Sequence, residues 1–109
     1  KSEIDYTGQR PAEYAACVLA AAVKEGFTGP VFIQGDHFQV SEKNFTRDRE
    51  AEVAGLKKLI KEAIDAGFYN IDIDSSTVVD LSKPDVMEQQ RPNFETTALL
   101  TGHIRASEP

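Results

Sequence analysis

The 109-residue sequence predicts an α/β fold with a parallel sheet. Three observations carry that expectation. Stretches of helical length alternate with two short apolar segments bounded by glycine and proline, the connection between those segments is long enough to hold a helix, and each segment sorts apolar from polar side chains by parity. With 40% hydrophobic and 28% charged residues, the composition is that of a folded domain rather than a disordered tail.

The elements follow in order. Pro11 and Glu13 lead into "YAACVLAAAVKEG", a helix over about 11–25 with proline in its first turn, alanines through its middle and Gly26 at its C-terminal end. Within it Cys17 has no second cysteine to pair with and no basic neighbours, so a small buried side chain is expected there. Residues 31–36 form the first strand, too short for a helix between such breakers, and Val31, Phe32 and Ile33 make the continuous apolar run of a strand covered on both faces. From Asp48 to Ala66, Val53, Leu56, Leu59, Ile60, Ala63 and Ile64 mark an apolar helical stripe. Lys57, Lys58 and Lys61 make its solvated face, and Gly67 stops it. "FYNIDIDSS", 68–76, is the second strand. After a turn, Ser82, Pro84 and Asp85 open a last helical stretch to about Ala106. Pro92 inside it predicts a kink or two helices meeting there.

Parity then narrows the architecture. In the second strand Ile71 and Ile73 point one way and Asn70, Asp72 and Asp74 the other; in the first, Val31 and Ile33 oppose Phe32, Gln34 and Asp36. One apolar face and one face that turns polar toward the strand ends suit a closed (β/α)8 barrel with its chemistry at the C-terminal rim. An open sheet covered by helices on both faces accepts three such polar side chains less readily. Two strands cannot close a barrel, so the expectation is a single segment, 1–109, forming a partial (β/α)8 barrel in the order helix, strand, helix, strand, helix. The remaining strands would come from the rest of a longer protein or from an oligomeric partner.

Charge and hydropathy limit the function classes. A net charge of −6, with twelve Lys and Arg scattered among eighteen acids, argues against nucleic acid as a partner. No apolar run approaches the roughly 20 residues that span a bilayer, and no signal-like segment opens the sequence, so no membrane partner and a cytoplasmic location are expected.

Asp36 and His37 end the first strand, with Asp72 and Asp74 on the next. An imidazole with carboxylates around it can serve a divalent metal and proton transfer, or simply form a capped and hydrogen-bonded strand end. One histidine is too few for a catalytic zinc site, so other ligands would come from other strands. Gln34, Asp72 and Ser76 are weaker candidates for substrate contacts at the same rim. His103, in "LLTGHIRAS", reads as a surface or packing histidine, "NFT" at Asn44 as a chance match to a glycosylation acceptor, and "YTGQRP" as loop chemistry or a phosphate contact. "DIDSST", 72–77, resembles the first motif of haloacid-dehalogenase-like phosphatases, which would make Asp72 a nucleophile and Asp74 an acid/base around magnesium.

Three linked motifs, "YTGQRPAEY" (6–14), "GDHFQ" (35–39) and "AGFYNIDIDSS" (66–76), resemble the class II ketose-bisphosphate aldolases, above all the larger subunit type of the D-tagatose-1,6-bisphosphate aldolase group. The resemblance implies that this chain supplies the helix after the first barrel strand, strands two and three, and the helices that follow them. It also implies that Asp36 moves a proton in carbon–carbon cleavage, that His37 binds Zn2+, and that Asp74 lies beside the metal. The substrate would be a phosphorylated ketose, a tagatose or fructose 1,6-bisphosphate, cleaved reversibly to dihydroxyacetone phosphate and glyceraldehyde 3-phosphate. The larger subunit type implies an alternative, a non-catalytic partner that stabilises a homologous aldolase subunit. Phe38, where catalytic members carry glycine after Asp-His, fits that alternative.

Overall fold

The computed structural model describes residues 7–109. Tyr6, the first residue of "YTGQRPAEY", lies outside them. Helix α1, Pro11–Lys24, starts with proline in its first turn, and the backbone N–H of Arg10 donates to Glu13 Oε2 at 2.8 Å. Strand β1 is Gln34–Gln39, followed by a short helix α2, Glu42–Arg47, and the long helix α3, Arg49–Asp65. Strand β2 is Asn70–Asp74; one 3-10 turn, Ser76–Val78, leads on to α4, Val86–Ser107. Ser41, Asp48 and Asp85 cap α2, α3 and α4, each accepting a backbone N–H of the first turn.

β1 and β2 pair in parallel, which the long, helix-bearing connection between them allows. The described residues thus form a mixed α/β structure on a two-stranded parallel sheet. The core lies on one side of that sheet. Val40, Leu56, Ile60, Val78 and Leu100 are buried together, and Phe38, Ile71, Ile73 and Ile104 pack against them. The stripe expected on α3 is the one that is buried, with Leu56, Leu59, Ile60 and Ala63 all inside. Helix α1 is different. It meets α3 through Pro11 and Ala15 near its start, where Arg10 also pairs with Glu62 at 2.5 Å, while Leu19 and Val23 farther along are exposed. The described structure is accordingly elongated, 56 × 23 × 21 Å.

Two expectations are corrected and a third, at Pro92, is narrowed. The first strand is paired over 34–39 rather than 31–36, because the apolar run Val31–Ile33 precedes the ladder and leaves Phe32 67% exposed beside the ring of Tyr69. Cys17 is exposed, not buried: it lies across α1 from Ala15, and its sulfur accepts from Gln9 Nε2 at 3.3 Å. Pro92 does not divide the last helix in two, since α4 runs unbroken through it. Proline there removes the N–H that would reach Glu88, but the flanking turns are anchored: Ser75 Oγ bonds the carbonyl and side chain of Asn93 at 3.0 and 2.9 Å, and also Thr97 Oγ1.

Candidate functional site at the ends of the two strands

β2 alternates as its sequence requires. Ile71 and Ile73 pack toward the core, while Asn70 and Asp72 are exposed and Asp74 is half-buried on the opposite face. β1 keeps the same order only as far as Gly35. Gln34 stands beside Asn70 and Gly35 beside Ile71, but the next pairs are Phe38 with Ile73 and Gln39 with Asp74. Three steps along β1 therefore match two along β2. Asp36 and His37 are the bulge, one residue more than the ladder can pair.

The bulge changes which side chains share a face. Without it Gln39 would lie on the core side; with it Gln39 joins Gln34, Asn70, Asp72 and Asp74. Phe38 moves to the core side, against Gly35, where a Cβ would stand 2.7 Å from the Phe38 ring and 3.3 Å from that of Phe68. Glycine at 35 is what lets both rings close beneath the bulge. Directly above, His37 takes a left-handed backbone with φ of 59°, an uncommon conformation for a residue with a side chain.

That conformation carries His37 Nδ1 to 3.3 Å from Asp74 Oδ2. The same oxygen accepts from Gln39 Nε2 at 3.0 Å, and Oδ1 accepts from the Ser76 hydroxyl at 2.6 Å and the Ser76 N–H at 3.0 Å. The Ser76 hydroxyl, followed by the Gln39 amide, holds the Asp74 carboxyl below the usual carboxylate range; partial burial opposes them, while the Ser76 N–H and His37 add to the lowering. Asp74 is thus an anionic anchor fixed from both sides. Nδ1 is turned to this carboxylate and the His37 side chain is 62% exposed; a histidine with one ring nitrogen bonded to a carboxylate is oriented to bind a metal through the other. Asp36 is exposed next to it. Among the described residues, no group of three or more His, Cys, Asp or Glu is gathered closely enough to hold a metal by itself.

The structure thus brings His37, Asp74 and Ser76 together. Gln34 and Asp72 share their face of the sheet but not their hydrogen bonds. Gln39 and the buried Ser75 were not foreseen. Gln39 is placed by the bulge, for which "GDHFQ" has no compositional mark, and Ser75, 1% exposed, ties the end of β2 to α4. Thr77 Oγ1 donates to the Val40 carbonyl at 2.5 Å and fixes the end of β1 from the other side. His103 is a packing residue, its Nε2 donating to the Lys57 carbonyl at 3.1 Å, and Asn44 sits within α2. No helix of the described residues is long and apolar enough to cross a membrane.

No protein-family description, curated protein or solved structure matches this chain.

Proposed function

We propose that the chain is part of a class II, metal-dependent aldolase-type protein acting on a ketose 1,6-bisphosphate. What supports this reading is the left-handed bulge within β1 that turns His37 onto Asp74, at the C-terminal end of β2, while Asp36 stands exposed beside it. Such a bulge is a common device for aiming a side chain beside an active site. His37 would hold Zn2+ through Nε2, with Asp74 fixing the ring and the other ligands coming from further barrel strands. When bound, zinc polarises a carbonyl oxygen. Asp36, exposed beside the Asp74 cluster, would take or return the hydroxyl proton. Gln34 and Asp72, farther along the same face, are the side chains left to contact the sugar.

One observation favours the alternative of a non-catalytic stabilising subunit. The Asp74 carboxylate is already saturated by Ser76, Gln39 and His37, as in a cluster that only holds a strand end together. Phe38 no longer supports that alternative, because its ring lies on the core side, away from His37.

The test is zinc-dependent release of triose phosphate from tagatose or fructose 1,6-bisphosphate by the full-length protein. Asp36→Ala should abolish turnover without changing thermal unfolding. A protein that cleaves neither sugar but raises the activity of a homologous aldolase subunit is the stabilising partner. Phosphate release that needs magnesium and is lost in Asp72→Asn would replace both readings with phosphatase chemistry.

A further inference from the structure

The two donors that reach Asp74 Oδ2 are unequal. Gln39 Nε2 donates to it at 3.0 Å, whereas His37 Nδ1 stands at 3.3 Å, just outside the roughly 2.7–3.2 Å of an ordinary N–H···O bond. Their influence on the carboxyl follows the same order: the Ser76 hydroxyl lowers its pKa most, the Gln39 amide next, and His37 least. Asp74 does not need Gln39 to be oriented, because Oδ1 already accepts both the hydroxyl and the N–H of Ser76, at 2.6 and 3.0 Å. What Gln39 adds falls on Oδ2 alone, the oxygen that His37 must use.

The strand itself delivers that amide. Gln39 is the ladder partner of Asp74, and the extra residue at Asp36 and His37 is what turns it to this face of the sheet. One bulge therefore presents both the imidazole and its competitor. Two donors on one carboxylate oxygen divide its charge, so each bond is weaker than it would be alone. A carboxylate bonded to one ring nitrogen makes the other a more basic metal ligand, and an amide that draws on the same oxygen reduces that gain.

We propose that Gln39 is a positioning residue that weakens the contact between His37 and Asp74 and so keeps zinc at His37 loosely held and exchangeable. The zinc half of the proposal rests on the metal-binding reading above; the competition for Oδ2 does not.

Gln39→Met in the full chain tests both halves, since methionine keeps the length of the side chain, fills its place against water and has no donor. At about pH 8, where an ordinary imidazole is neutral, nitrogen NMR should show the His37 ring proton moving toward Nδ1, with His103 unchanged. Zinc titrated at the same pH should bind the variant about tenfold more tightly than wild type. Ser76→Ala, which loosens the other oxygen, should act in the opposite direction in both measurements. The Val40 amide donates to the Asp74 carbonyl at 2.8 Å and reports on the ladder, so its hydrogen exchange should be the same in wild type and Gln39→Met. An unmoved His37 nitrogen in Gln39→Met, or zinc bound no more tightly than by wild type, would overturn the proposal. So would a response of the same sign in Ser76→Ala, since the two donors would then act on Asp74 alike, or faster exchange at Val40, which would make Gln39 a brace for the ladder. If neither protein responds to zinc while the His37 proton still moves, the metal-binding reading fails and the competition for Oδ2 stands.

Discussion

Against one face of the sheet, α3 and α4 bury Leu56, Ile60 and Leu100 almost completely; on the other, Gln34, Asn70 and Asp72 stand exposed and only the His37–Asp74–Gln39 cluster is partly enclosed. The two faces come from the same ten or so residues of strand, sorted by parity and one bulge. The covered face holds the fold together. On the open face His37, in a left-handed backbone, is bonded to a carboxylate also held by Ser76 and Gln39. Strain of this kind persists where surrounding structure over-determines it.

Substitutions should separate the faces by size of effect. Leu100→Ala, in the covered core, should lower the unfolding free energy by about 2–5 kcal/mol in urea titrations. A loss below about 1 kcal/mol would mean that α4 is not packed as described. At the bulge, His37→Val should cost about 1–3 kcal/mol because a β-branched residue resists positive φ. His37→Gly relieves the same strain, so its cost should stay within about 1 kcal/mol. Equal costs for the two would show that the left-handed backbone does not decide stability at this position.

A smaller effect is expected at Asp74. Its folded carboxyl titrates below its ordinary value of 3.8, so the stability it contributes is fully present above that pH and is lost as pH falls through the lower folded value. Ser76→Ala should move the Asp74 titration upward, toward its ordinary value, in carboxyl-carbon NMR. An unmoved titration would mean that the Ser76 hydroxyl is not the chief cause of the lowering. Smallest of all, Asp72→Ala on the open face should leave stability within about 0.5 kcal/mol of wild type, read from the same urea titrations.

What could be read in advance tracks how regular each segment is. The β2 pattern was legible because Asn-Ile-Asp-Ile-Asp alternates strictly, and α3 because its apolar stripe recurs at helical spacing over 17 residues. β1 was misplaced by three residues. Its apolar run marks burial near the strand's start, whereas pairing depends on where β2 lies, and an inserted bulge residue leaves no sign when it is histidine rather than glycine. Asp36, His37, Asp74 and Ser76 could be picked out because an imidazole and carboxylates on neighbouring strands suit metal and proton-transfer chemistry. Their mutual geometry could not, since it follows from the bulge. Cys17 failed for a different reason: small apolar neighbours suggest burial, but only the first part of α1 has anything to pack against.

In the proposed reading the open face presents His37, held by Asp74, to a metal. Titrating the full chain with Zn2+ while observing the imidazole nitrogens of His37 and His103 tests it most directly. The account predicts that Nε2 of His37 shifts as zinc is added, that His103 does not because its Nε2 is bound to the Lys57 carbonyl, and that His37→Gln removes the response. A His37 ring unmoved by zinc up to about 1 mM, or a response at His103 instead, would contradict it.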